Sequence, residues 1–261
     1  MLTIEKTVTM SPEQWEIVIE GMRNPKNSWD RMDSEFLYTE PYNGEPPYDY
    51  DVGPNDHGLM MNLADGGPVH AKYRRMIPVW VTINAPLYWW KEFDTYKIGT
   101  VCNSCSTMHK IHAKEFTLED FSTDHLFGKE DMLRAEERVG IGYDEALSAV
   151  NVDGDRCYFT PEGFIQMTCN ILNRYRTKFL EAQKKPMKDE SKRAGLVKKY
   201  WWQMIQLLPT SYNQKRTIML NYEVLVNIYT WRKNHKLDEW HVFCDWIEKL
   251  PYSELITGKK D

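Results

Sequence analysis

The segment from Ile77 to Tyr96 constrains this chain more than any other. Ile77 to Ile83 alternates and carries the β-branched residues Val79, Val81, Thr82 and Ile83, which is the pattern of a strand. Pro86 ends that strand, having no N–H to give to a ladder, and its fixed φ suits the opening of a helix. The helix runs through Leu87, Tyr88, Trp89, Trp90 and Phe93 towards Tyr96. It is apolar on nearly all sides at its start, so it has to be buried. Gly99 and the polar run Thr100 to Thr107 read as a loop after it.

Other helices follow from caps and spacing. Ser11 can cap a first turn, Pro12 suits the first helical position, and Trp15, Ile17, Val18 and Met22 recur at helical spacing. Pro161 to Lys184 is helical in period, with Phe164, Met167, Ile171, Leu172, Tyr175 and Phe179 as its apolar stripe. Lys184 to Arg193 reads as a linker, and the apolar block Tyr200 to Leu208 closes at Pro209. Thr217 to Trp231 and Glu239 to Leu250 read as two further helices, the latter with Trp240, Phe243, Trp246, Ile247 and Leu250 facing a core. From Asn24 to Pro68 the chain is rich in Pro, Gly, Asn, Asp and Tyr, which predicts an irregular arm, either an active-site cover or a plain surface loop. Glu115 to Asp155 is expected to hold short helices and loops.

A chain of 261 residues, 42% hydrophobic, can build one sizeable core and is short for two, so a single domain spanning 1–261 is expected. The net charge of −5, without a basic tail, argues against nucleic-acid coating as the main task. No apolar run approaches the roughly 18 to 20 residues of a membrane span, and Met1 to Lys6 has no signal-peptide core. Five cysteines do not read as a disulfide framework, and with the other features they lead to the expectation of a cytoplasmic protein. Ten tryptophans and fifteen tyrosines can fill a core, line a planar-ligand pocket or cover subunit contacts.

Two rows of the Thr217 to Trp231 segment carry polar residues among apolar ones. Asn221, Leu225, Ile228 and Arg232 share one row, and Glu223 and Asn227 another. Such a helix lines a wet cavity, or else Glu223 and Arg232 face solvent or other charges. Cys102, Cys105, His109 and His112 form C-x2-C-x3-H-x2-H, which superficially suggests zinc. Only three residues separate the pairs, too few for the common zinc modules, so no metal site is assigned. Two small buried thiols are the plain alternative. His70, in Gly66-Gly67-Pro68-Val69-His70, reads as structural.

Two separated segments resemble the flavin-dependent thymidylate synthase family, ThyX. The first is Ala85-Pro86-Leu87-Tyr88-Trp89-Trp90-Lys91-Glu92-Phe93 with the loop to His112, which is similar to the family's strand, buried helix and signature loop. The second comprises Leu208-Pro209, then Asn221, Leu225, Asn227 and Arg232, then Glu239-Trp240. In the family a Leu-Pro pair is followed by a helix reading Asn-x-Arg-x-Leu-x-Asn and ending in Arg, and then by Gln-Trp-Glu. The two segments cover about a third of the chain; Met1 to Asp65 carries no match.

The family's signature, RHRxxSxNExSxRY, falls on Thr95 to Met108. Lys97 keeps a positive charge and Thr100 a hydroxyl, whereas Arg is replaced by Thr107, Glu by Asn103, and the Arg of the later helix by Glu223. Bidentate Arg contacts are the usual grip on a phosphate, so these exchanges weaken the inherited phosphate site. The resemblance implies cofactor contacts at Tyr96, Lys97, Ile98, Asn103, Asn221 and Asn227, where Tyr96 either stacks on an isoalloxazine or a base or is a plain core tyrosine. It implies substrate contacts at Glu92, Thr95, Thr107 and Arg232. Arg232 matches the Arg that reaches the pyrimidine and could stabilise negative charge on the ring. Cys105 falls on a substrate-side serine, and its thiolate, activated by Lys97 or Arg232, could add to C6 of a pyrimidine.

The resemblance implies an α/β (α+β) fold, a small sheet packed with long helices, assembled as a homotetramer. The implied activity is one-carbon transfer to C5 of a pyrimidine deoxynucleotide similar to dUMP, with FAD as cofactor and NADPH and a reduced folate as co-substrates. The competing expectation is a ThyX-like scaffold that has lost catalysis and binds a nucleotide or a protein.

Overall fold

The structure is a computed structural model that describes residues 1–38, 48–128, 148–152, 155–186 and 188–258. The Pro-rich run Pro41 to Pro47 and most of the stretch between Glu115 and Asp155 therefore lie outside the described residues. The chain divides into two compact units. One holds Met1, Ala85–Trp90 and Cys105–Gln214; the other holds Leu2–Asn84, Lys91–Ser104 and Lys215–Asp261.

The second unit contains a four-stranded sheet made of β1 (Thr3–Val8), β4 (Pro78–Pro86), β8 (Asn213–Asn221) and β5 (Val101–Ser104), in the order β1-β4-β8-β5. β1 runs antiparallel to β4 with Thr3 opposite Asn84, and β5 runs antiparallel to β8 with Cys102 opposite Ile218. Val79, Val81 and Ile83 on β4 and Ile218 and Leu220 on β8 are buried, while the alternate positions are more open. That period of two is what places one face of each strand in the core. The Ile77 to Ile83 strand and the helix after Pro86, α3 (Leu87–Phe93), are where the sequence puts them.

Helix α1 (Pro12–Arg23) starts with a reciprocal cap: Ser11 Oγ accepts from Gln14 N and Ser11 N donates to Gln14 Oε1. Trp15, Val18, Ile19 and Met22 are buried, but Ile17 is exposed and Ile19 takes its expected place. The arm expected from Asn24 to Pro68 is irregular only in part: two short 3-10 turns, Asn24–Lys26 and Trp29–Arg31, open it, and regular elements follow. It forms a hairpin of β2 (Glu35–Tyr38) and β3 (Tyr48–Asp51), followed by a twelve-residue helix, α2 (Pro54–Asp65). Turn-forming composition is overridden there by burial. Asp56, fully buried, accepts from Ser34 Oγ at 2.6 Å, from the N–H groups of Asp33 and Ser34 at 3.0 Å, and from Arg23 Nε. These bonds lock α2 to the segment before it, and Met60 fills the core beneath.

A second correction concerns Thr217 to Asn221, expected as helix. These residues finish β8, with Ile218 and Leu220 inward, and the helix α6 (Tyr222–Arg232) begins only after Asn221. The apolar residues of this stretch satisfy both periods, and pairing with β5 decides for strand. Likewise Val101–Ser104, expected as loop, pairs with β8 as the sheet's edge. α7 (Asp238–Ile247) buries Trp240, Phe243, Trp246 and Ile247, and a last short helix, α8 (Glu254–Thr257), buries Leu255 and Ile256.

The first unit is built on two long helices, α4 (Pro161–Lys184) and α5 (Glu190–Leu207), so the linker between them is shorter than expected. Thr160 caps α4 through Gly163 N at 3.0 Å, with Pro161 in the first turn. The stripe that enters the core is Ile165, Cys169, Leu172 and Phe179, packed with Ile111, Phe116, Phe121 and Met204. Phe164 and Ile171, assigned to the stripe by sequence, are exposed; the core row lies one position further on. Two antiparallel strands, β6 (Ser148–Val152) and β7 (Asp155–Phe159), precede α4 where helices and loops were expected. Trp89 and Trp90 are fully buried, and Trp90 Nε1 donates to Gln214 O at 2.8 Å. Among the described residues no helix is long and apolar enough to cross a membrane.

Candidate functional site

One face of α6 and the turn after α3 enclose a cavity of about 650 Å³ in the second unit. α6 is aimed by its first residue boundary: Asn221 Oδ1 accepts from Val224 N at 3.1 Å and caps the helix as the strand ends. The opposing turn is set by Thr95 Oγ1 donating to Glu92 O at 2.8 Å and by Tyr96 N donating to Phe93 O at 3.0 Å. Gly99 has φ of 78°, and a Cβ there would stand 3.0 Å from Val224 Cγ2 and 3.1 Å from Asn221 Nδ2. The turn thus presses directly on α6, and a glycine is what allows the approach.

Thr95, Tyr96, Lys97, Ile98 and Gly99 line the cavity from the turn; Asn221, Glu223, Asn227, Thr230 and Trp231 line it from α6. Six of the residues for which the resemblance implies cofactor or substrate contacts, from two segments more than a hundred positions apart, are therefore brought together. Arg75 and Lys97 are exposed cations of the lining, whereas Glu223 is half-buried and its Oε2 is buried without a hydrogen-bond partner. A lone buried carboxylate oxygen costs stability until a donor reaches it.

Behind Tyr96 lies a second cluster. Glu92 Oε2 accepts from Arg232 Nη1 at 2.8 Å and from Trp240 Nε1 at 3.0 Å, with His235 Nε2 at 3.5 Å. Arg232 Nε donates to Tyr96 OH at 2.9 Å. Its guanidinium stands 4.8 Å from the Trp240 ring centroid and 5.6 Å from that of Tyr96, close enough for cation–π attraction. Arg232 and Glu223, on one helix, face different surroundings: Arg232 turns to the aromatic cluster and Glu223 to the cavity. Tyr96 belongs to both: it lines the cavity, and its hydroxyl accepts from Arg232.

The remaining candidates stand apart from this cavity's lining. Asn103 is exposed on β5, opposite Thr217. Cys102, also exposed there, has its Sγ 4.0 Å from Arg216 Nη1, which donates to Asp94 Oδ1 at 2.7 Å. Cys105 and Thr107 belong to the first unit, where Cys105 is exposed and its carbonyl accepts from Gln214 Nε2 at 2.8 Å. The plain expectation of two buried thiols at Cys102 and Cys105 is thus corrected. His112 rests on Phe179 with ring centroids 4.5 Å apart, and burial, Lys110 and Arg176 lower its pKa. Among the described residues no three His, Cys, Asp or Glu side chains are grouped to hold a metal ion. His70 is exposed in the turn after α2 and does not line the cavity.

Sequence reasoning missed Arg75, Pro68 and Trp231 in the lining and Trp240 in the cluster. Trp231 was readable: it lies four and eight positions after Asn227 and Glu223, on their face, and it is 73% exposed. Arg75 comes from a short 3-10 turn, Lys72–Met76, that no periodicity announces.

No family model matches the sequence, and no curated protein matches it. Solved structures do match the fold. Thymidylate synthase X (ThyX) from Helicobacter pylori, with FAD and dUMP, aligns over 98% of this chain and 95% of its own, at TM-score 0.52 and 14% identity. A second structure of the H. pylori enzyme, a flavin-dependent thymidylate synthase complexed with FAD and dUMP, aligns over 98% and 96%, at TM-score 0.50 and 16% identity. The fold is a mixed α/β one with a small antiparallel sheet. It is the fold that these ThyX structures share, at 14 to 16% sequence identity.

Proposed function

We propose that this chain is a divergent ThyX-like enzyme that binds a pyrimidine nucleotide and transfers a one-carbon unit to C5 of its ring. The observation that supports this reading is the convergence of Thr95 to Ile98 with Asn221 and Asn227 on one cavity, in a chain with the ThyX fold. Both ThyX structures carry FAD and dUMP. The lining here fits a flavin nucleotide in its chemistry. Arg75 and Lys97 offer charge to phosphates at the exposed edge, Tyr96 offers a ring to stack on, and the Asn221 and Asn227 amides can meet ring heteroatoms. FAD bound there would supply hydride, and NADPH and a reduced folate would be the co-substrates. The protein's own share is orientation and charge. Arg232, held by Glu92 and Trp240, is the group for negative charge on the pyrimidine, and Tyr96 transmits its position to the cavity. Asn103 is proposed for the cofactor set, in an assembly of four copies in the cytoplasm.

A second reading, a scaffold that binds a nucleotide or protein without catalysis, is favoured by one observation. Arg232 is already engaged by three side chains of its own unit. Purified protein titrated with FAD, followed by release of tritium from C5 of labelled dUMP, separates the two. The enzyme reading expects flavin absorbance that is freed on denaturation, and tritium release that Arg232→Ala abolishes. Flavin binding with no release from any pyrimidine nucleotide would leave the scaffold reading; neither flavin nor nucleotide binding would remove both.

A further inference from the structure

Two buried atoms of opposite chemistry stand without hydrogen-bond partners on adjoining elements of the second unit. Arg74, in the 3-10 turn Lys72–Met76, is 7% exposed, and its Nε is one of them. The other is Oε2 of Glu223, in the first turn of α6. Turn and helix are tied through the backbone: Ile77 N donates to Arg74 O at 3.4 Å, and Tyr222 N donates to Ile77 O at 3.1 Å. Arg74 and Glu223 thus flank one junction.

Tyr73 feels both charges. Its hydroxyl donates to Met60 O at 2.8 Å. Burial pushes the pKa of that hydroxyl up to about 12, Arg74 opposes the rise through its charge and a hydrogen bond, and the Glu223 charge adds to it. A buried guanidinium without a counter-charge is costly, and in a low-dielectric interior a carboxylate offsets that cost beyond hydrogen-bond reach. The sign at position 223 follows. The cation that the family resemblance would put there would stand beside Arg74 as a like charge, whereas Glu223 neutralises it.

We infer that Glu223 is the counter-charge of Arg74, and that the two are positioning residues that hold the Lys72–Met76 turn against α6 and thereby set Arg75 in the cavity lining. Arg75 follows Arg74 in the chain and lines the cavity. On this account the cation exchanged for Glu223 on α6 is supplied again from the turn. The role of Arg75 rests on the cofactor reading above; the charge pair does not.

A double-mutant cycle of Arg74→Met and Glu223→Gln, read as urea midpoints at constant slope, tests the pair. Each single substitution strands a charge and should lower the midpoint, and the double variant should lose clearly less than the two single losses combined. Additive losses, or no loss in either single variant, would overturn the pairing. Where Arg74→Met does not fold, Glu223→Arg decides: like charges predict a midpoint below that of Glu223→Gln, and an equal or higher midpoint would overturn the pairing. FAD titration of the folded variants reads the positioning. Arg74→Met is expected to weaken FAD by about threefold or more, and Glu223→Gln added to it should weaken FAD no further. Unchanged FAD affinity in Arg74→Met would overturn the positioning role. If wild type binds no FAD, the cofactor reading falls and the positioning role with it, while the urea cycle still decides the charge pair.

Discussion

Glu92 holds Arg232 from across the second unit, accepting from Nη1 at 2.8 Å with the same oxygen that accepts from Trp240 at 3.0 Å. One carboxylate oxygen therefore fixes both a cation and the ring beneath it. Glu92→Leu leaves Arg232 and Trp240 Nε1 without that acceptor, and should lower stability by about 1–3 kcal/mol, read from the urea midpoint at constant slope. Arg232→Lys keeps the charge but cannot serve Glu92 and Tyr96 together. It should lower nucleotide binding or turnover, and full retention of both would remove Arg232 from the site.

Asp56 and Arg23 form an almost completely buried pair. Burial alone would raise the Asp56 pKa, but hydrogen bonds from Ser34, the Asp33 N–H and Arg23, with the Arg23 charge, outweigh it and lower it. A lowered folded-state pKa means that the contribution is complete above the ordinary carboxylate range and fades as pH falls through the folded value. Unfolding midpoints should therefore drop with acidification from below about pH 4. Asp56→Ala should cost about 3–5 kcal/mol at neutral pH, because it strands Arg23. A loss below about 1 kcal/mol would contradict this account of α2.

Gly99→Ala combines a left-handed backbone with a Cβ at 3.0 Å from Val224 Cγ2. The backbone term alone should cost about 1–2 kcal/mol, and relief of the contact must shift the turn that carries Lys97 and Tyr96. Thermal unfolding and FAD titration should both register the change. If stability drops and FAD affinity is untouched, the turn does not shape the cofactor site.

The described cysteines should divide cleanly. Burial pushes the Cys244 thiol up to about 12, with smaller contributions from Asp245 and Glu248, and burial also raises Cys169. Cys102 and Cys105 are exposed. A maleimide at pH 8 on folded protein should mark Cys102 and Cys105 within minutes and leave Cys169 and Cys244 unmodified until denaturant is added. Peptide mapping reads the pattern, and early labelling of Cys244 would contradict its packing.

Much of the fold was legible where one local rule acted without competition. Alternation at Ile77 to Ile83, Pro86 at the junction, and Ser11 before Pro12 each have one structural solution. Misreadings arose where two rules met. Thr217 to Asn221 fits a helical row through Leu225 and Ile228 as well as a strand, and the sheet's pairing decided between them. Pro54 to Asp65 looked like loop because its composition favours turns, whereas Asp56 gains four hydrogen bonds only when the helix forms. At the site, the family resemblance drew Arg232 and Tyr96 to one another's neighbourhood. It could not show Arg75, which reaches the cavity from a short turn.

Asn221 ends β8 and caps α6 in a single residue. With no connecting loop between them, the sheet and the cavity wall are one lever, and tilting α6 would mean bending a strand that is buried on one face. The wall is then a fixed jaw. Any change in the width of the cavity therefore falls to the Thr95 to Gly99 turn and not to α6.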